Sequence, residues 1–154
     1  MGLDMYLHKV KREEVAYWRK ANAIHAWFSR LHEKETGEEL GNCQDMTVSK
    51  EDLIKLRNDC KRVINSSELV YKDVPVKQYD YDKREYVNST QMMKVLDDSS
   101  VAEELLPTQS GFFFGSTVYD EFYVEDLKNT IEQIDNILND VNFDEYDIQY
   151  HAWW

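Results

Sequence analysis

Leu3, Met5 and Leu7 alternate with Asp4, Tyr6 and His8, a two-residue period that predicts a first strand over residues 2–9 with one buried face. The period then lengthens. Tyr17, Ala21, Ile24, Phe28 and Leu31 recur at spacings of 4, 3, 4 and 3, the stripe of an amphipathic helix from about Glu13 to Lys34. Residues 33–48 hold Gly37, Gly41 and Asn42 and read as a loop. A second helix is expected to start at Ser49, where Ser49 and Asp52 have the spacing of a capping box and Val48 lies one residue before the cap, able to staple to Leu53. Its buried face would be Leu53, Leu56, Cys60 and Val63. The alternating stretch VKQYDYDKREYV suggests an exposed, tyrosine-rich hairpin within residues 65–89. Residues 90–106 read as one or two short helices, with Ser100 and Glu103 spaced as a cap and Pro107 ending the run.

Three phenylalanines between Gly111 and Gly115 have the aromatic density of a strand. A long helix follows from about Asp120 to Asp140, with Val124, Leu127, Ile131, Ile134 and Leu138 inside and acids at its start, where the helix dipole favours them. Its stripe is expected to pack on the sheet that contains Phe112 or Phe114. Alternation of Tyr146, Ile148, Tyr150 and Ala152 with Asp147, Gln149, His151 and Trp153 predicts a closing strand. The pattern as a whole is α+β: one domain over residues 1–154, with a small, mostly antiparallel sheet packed by three to four amphipathic helices. Residues 65–100 are a candidate variable insertion.

Composition narrows the classes. Apolar residues make up 42% and aromatics 13%, enough for a packed core rather than an acidic tail. No apolar run approaches the roughly 18 to 20 residues that cross a bilayer, and the N-terminus has neither an apolar h-region nor a cleavage site, so no membrane contact is expected. Two cysteines without an export signal fit a reducing compartment, and hence the cytoplasm. The four histidines are scattered and no C-x-x-C or H-x-x-x-H pair occurs, so neither metal nor cofactor is expected.

Charge is uneven. Residues 1–31 carry six bases and three acids, whereas residues 97–154 carry 14 acids against Lys128 alone. Such an acidic half repels nucleic acid and favours a basic partner.

Two places offer chemistry. On a helical wheel Trp18, Asn22, His25 and Ser29 form a second stripe beside the core stripe, with Arg19 and Lys20 beyond its edges. An aromatic plane, an amide and an imidazole together suit a flat polar ligand. The second place is Thr108-Gln109-Ser110-Gly111 with its counterpart Gly115-Ser116-Thr117, two polar glycine corners able to present backbone N–H groups and hydroxyls. No P-loop, dinucleotide-binding or nucleophile-elbow motif occurs.

MGLDMYL at the start, YWRKANAIHAWF at 17–28 and LPTQSGFFFGSTVYDEFY at 106–123 together resemble a family of small, acidic, uncharacterised bacteriophage and prophage proteins. The similarity covers most of the chain apart from 65–100. It implies a phage accessory role in the host bacterial cytoplasm and supplies no catalytic residues. Proteins of that kind commonly counter host defence, so three expectations follow. The first is a non-enzymatic binder that sequesters a small polar, nucleotide-like ligand through Trp18, Arg19, Asn22, His25, Thr108, Gln109, Ser110 and Ser116. The second is an acidic inhibitor or nucleic-acid mimic that docks on a basic host protein through Tyr119, Phe122, Tyr123 and Tyr146. The third is a small hydrolase with His25 as general base and a carboxylate such as Asp120 beside it.

Overall fold

The computed structural model describes residues 2–154. The elements are α1 (Asn22–Thr36), β1 (Asp45–Val48), α2 (Lys50–Ser66), β2 (Leu69–Asp80), β3 (Glu85–Leu96), α3 (Ser100–Leu105), α4 (Glu121–Asp140) and β4 (Ile148–His151). The fold is α+β, with four helices and two separate two-stranded antiparallel sheets, β1 with β4 and β2 with β3.

Helix α2 forms where its local code says. Ser49 Oγ accepts the Asp52 N–H at 3.1 Å while Asp52 Oδ2 accepts the Ser49 N–H at 2.9 Å, so two orphan donors are satisfied reciprocally. Val48 and Leu53 are both buried on either side of that cap, and Leu56, Cys60 and Val63 carry the buried face onward. That face packs on α4, which buries Val124, Leu127, Ile134 and Ile137. Arg57 Nη1 and Asp135 Oδ1, 2.9 Å apart, pair across the edge of this contact.

The hairpin is longer than the alternation predicts. Its register runs from Leu69–Leu96 to Asp80–Glu85, so residues 90–96 are strand and only Ser100–Leu105 is helix. The helix cap is Ser99, not Ser100; Ser99 Oγ donates to Glu103 Oε1 instead of capping a backbone N–H. At the base of the ribbon Val95 and Leu96 are buried, and the Leu96 N–H donates to the Tyr119 carbonyl at 2.9 Å. The distal half projects into solvent and ends in a cluster of Tyr79, Tyr81 and Tyr86.

Other expectations are corrected as well. Residues 2–9 form no strand: they pair with no other segment and are exposed. The first helix begins at Asn22 rather than Glu13, because Gln133 of α4 captures the backbone of Tyr17. Gln133 Oε1 accepts the Tyr17 N–H at 2.7 Å and its Nε2 donates to the Tyr17 carbonyl at 3.0 Å, which removes both groups from a helical ladder. Tyr17 is consequently exposed, and Lys20 turns the chain with φ 56° just before α1. The loop at 33–48 contains β1, whose Met46 and Val48 are buried.

Finally, Gly111–Gly115 is a turn, not a strand. The Phe114 N–H returns to the Gly111 carbonyl at 3.2 Å, and Gly115 takes φ 83°, a conformation that favours glycine. Helix α4 therefore packs on α2 rather than on a phenylalanine strand. Ile131 and Leu138 are only half-buried, and Tyr146 is exposed ahead of the short β4.

Candidate functional site

The two segments with candidate chemistry meet, and Asn22 joins them. It is the first residue of α1 and only 6% exposed. Its Nδ2 donates to the Phe114 carbonyl at 3.0 Å and the Ser116 carbonyl at 2.8 Å, while its Oδ1 accepts the Gln109 N–H at 3.0 Å. One side chain thus satisfies three backbone groups of the 109–116 turn, as a strand partner would. Thr108 tightens the same corner: its Oγ1 donates to the Thr117 carbonyl at 2.9 Å, and its N–H donates to the Tyr119 hydroxyl at 3.3 Å. Ser116 Oγ accepts the Val118 N–H at 3.2 Å.

The three phenylalanines divide. Phe114 turns inward, its ring edge-on to His25 at 5.3 Å and to Trp154 at 5.7 Å between centroids. Its ring also fills the space beside Gly111, where a Cβ would lie 2.7 Å from Phe114 Cγ. Phe112 and Phe113 point outward, 94% and 60% exposed, with centroids 4.6 Å apart. Ser110 is exposed at the foot of this tip. On the opposite flank a Cβ on Gly115 would lie 3.4 Å from Lys20 Cβ, and Arg19, also exposed, precedes it.

His25 is the centre of the box under the turn. Its Nδ1 lies 2.7 Å from the Tyr150 hydroxyl and its Nε2 lies 3.4 Å from Ser29 Oγ. Both partners are hydroxyls, able to donate or accept, so either neutral tautomer of the ring is satisfied here. Burial lowers the His25 pKa and raises that of Tyr150, so both stay neutral near pH 7. Among the described residues no carboxylate is hydrogen-bonded to His25. Asp120 is instead the cap of α4, where its Oδ1 accepts the Tyr123 N–H at 3.0 Å.

Trp18 packs inward. Its Nε1 donates to Thr130 Oγ1 at 2.9 Å, and its ring stands edge-on to Phe28 at 6.3 Å. Of the eight residues with candidate chemistry, Trp18, Asn22, His25, Thr108 and Ser116 have side chains committed to hydrogen bonds, Gln109 takes part through its backbone N–H, and the Arg19, Gln109 and Ser110 side chains are left over. The exposed Phe112 and Phe113 stand where sequence reasoning expects a strand interior. The unbroken run of aromatics between glycines gave the location, but no periodicity says which ring turns in.

Among the described residues no group of three or more His, Cys, Asp or Glu side chains is placed to hold a metal ion, and no helix is long and apolar enough to cross a membrane. No family model matches the chain, and no curated protein or solved structure does.

Proposed function

We propose that this chain is a non-enzymatic, acidic binding protein, of the kind a phage would use as an accessory inhibitor, that inserts the Phe112–Phe113 tip into an apolar pocket of a basic host protein. The observation behind this reading is the division of labour in the turn. Phe114 and Asn22 anchor it, while two large apolar rings are held out in solvent at no folding benefit. Aromatic side chains of that kind act as interface anchors, because they carry large contact area with few rotatable bonds. A tip suits a pocket on another protein better than a small ligand, which needs a concave site of its own. The formal charge of −12 steers a basic partner toward the chain from a distance.

A photo-crosslinking residue at position 112, with bacterial lysate at low salt, tests this reading. Crosslinking to one basic protein is expected. The double substitution Phe112→Ser and Phe113→Ser should abolish co-purification of that protein without lowering the melting temperature. If the double variant retains the partner, the tip is not the anchor.

One observation favours capture of a small anionic, nucleotide-like ligand instead: Lys20 packs beside Gly115, with the exposed Arg19 next to it in the chain. Their polar neighbours Asn22 and Thr108 are committed to the backbone, so the guanidinium and ammonium groups would do the binding. A thermal shift with cyclic or linear nucleotides that disappears in Arg19→Glu would support this alternative over the protein tip.

A further inference from the structure

The N-terminal segment has the pattern of a strand and no strand to pair with. In an extended conformation Leu3, Met5 and Leu7 would share one side, with Lys9 and Lys11 continuing that side. Tyr6 and His8 stack at 6.0 Å between centroids. The Leu3, Met5 and Leu7 side chains are 80% exposed or more. A contiguous apolar row at that exposure marks an interaction site. Arg12 fixes the base of the arm by pairing with Asp45 at the start of β1, and His151 Nδ1 reaches the same carboxylate at 2.8 Å.

The other end of the β1–β4 sheet offers a matching surface. A groove of about 550 Å³ lies there, with Val48, Phe143 and Ile148 among its apolar residues and Glu51, Asp144 and Asp147 among its acids. Lys50 is the one base lining it. The sheet beside it has only two strands of four residues each, so each strand has an open edge. One face of this sheet packs on the core through Met46, Val48 and Tyr150, and a third strand would extend it at an edge.

We infer that the arm of residues 3–11 binds this groove and sheet edge in a second copy of the chain, giving a dimer by reciprocal arm exchange. Charge selects that occupant. Residues 2–12 carry three bases and one acid, while residues 13–154 carry 15 bases and 29 acids, so arm and body attract although two bodies repel. The residue types match as well: Leu3, Met5 and Leu7 would meet the apolar lining residues, and Lys9 and Lys11 the carboxylates. Nine extended residues span about 30 Å, enough to cross from one copy to the next. Exchange in both directions is isologous and closes after two copies.

Light scattering after size exclusion tests this on the full chain. Wild type should elute at twice 18.4 kDa at low salt and lose that mass as salt rises. Leu7→Asp should be monomeric at all concentrations while keeping its near-ultraviolet circular dichroism, because residue 7 contacts nothing in its own fold. A monomeric wild type, or a dimer that survives Leu7→Asp, overturns the inference.

Cysteine pairing separates exchange from fold-back, in a Cys43→Ser background because Cys43 is exposed. A Leu7→Cys copy mixed with a Phe143→Cys copy should form a disulfide-linked pair. If the bond forms only when both cysteines are in one chain, the arm binds its own body and exchange is wrong.

Discussion

Replacing Asn22 with alanine tests whether one side chain holds the 109–116 turn. The wild-type amide makes three hydrogen bonds of 2.8 to 3.0 Å to backbone groups. Each is worth about 1 kcal/mol net, and more where a buried partner is left unsatisfied. Ser116 is exposed, so its carbonyl finds water again; the Phe114 carbonyl and the Gln109 N–H are half-buried and do so less well. A loss of about 2 to 3 kcal/mol follows. Alanine's better helix propensity at this first helical position returns a few tenths. At about 2 to 4 °C per kcal/mol for a domain of this size, the melting temperature should fall by roughly 4 to 12 °C.

Location distinguishes this from generic destabilisation. Hydrogen exchange should accelerate at residues 109–117 beyond what global unfolding accounts for, while the α2 amides follow the global loss. Asn22→Asp should be worse at neutral pH, since a carboxylate would face two carbonyl oxygens with no proton to donate. Acidification should recover part of that difference by restoring one donor. If Asn22→Ala leaves exchange at 109–117 unchanged, the turn is held by something else and the display argument for Phe112 and Phe113 loses its support.

Ile134→Ala should cost about 2 to 5 kcal/mol in urea denaturation, because the residue is fully buried where α4 meets α2. The exposed Glu132→Ala should change stability by under about 0.5 kcal/mol, and equal effects at both sites would place the helix contact elsewhere. Gly111→Ala should cost about 1 to 3 kcal/mol and change the fluorescence of Trp154, since the new Cβ displaces the Phe114 ring that packs on it. Half-buried and close to Asp120, the Asp126 carboxyl has its pKa pushed up from 3.8 to about 6. Its contribution to stability is therefore full below pH 3.8 and lost as pH rises through about 6. Asp126→Asn should raise the melting temperature at pH 7, with the gain shrinking toward zero by pH 4; a gain independent of pH refutes the burial argument.

Local codes were legible and tertiary substitutions were not. The capping box of α2 and its apolar stripe are complete within one segment, so the sequence states them directly. The hairpin tip was visible in the alternation around Tyr79 and Tyr86, but MMKVL near its end lacks alternation, which hid the strand continuing to Leu96. At Tyr17 the residue that decides is Gln133, 116 positions away, whose amide imitates a neighbouring backbone. Nothing near residue 17 encodes that. The same device recurs at Asn22, where the sequence marked the residue as polar on a helix flank and the structure spends its amide on the turn. Aromatic density suggested a strand at 112–114 for the right reason, a tendency to pack, yet the glycines on both sides allowed a turn in which only one of three rings packs.

Both amides are spent inside the molecule, and this shapes what the corner is able to bind. Asn22, Thr108 and Trp18 each make a hydrogen bond that a ligand would have to break, at a cost comparable to what it would gain. Binding free energy has to come from groups the fold leaves over: the Phe112 and Phe113 rings, the Gln109 and Ser110 side chains, and the Arg19 and Lys20 heads on the other flank of the turn. The committed amides still matter to affinity. They fix the turn before any encounter, so a partner does not bear the entropy of ordering it, which otherwise runs to about 0.5–1.5 kcal/mol for each immobilised side chain. Loosening the turn through Asn22→Ala should therefore weaken a partner even though Asn22 never touches it, and the loss should appear as faster dissociation rather than slower association. Substituting Phe112 should remove contact energy without altering exchange at 109–117. Two variants, one lacking the bracket and one lacking the anchor, thus separate preorganisation from contact at a single site.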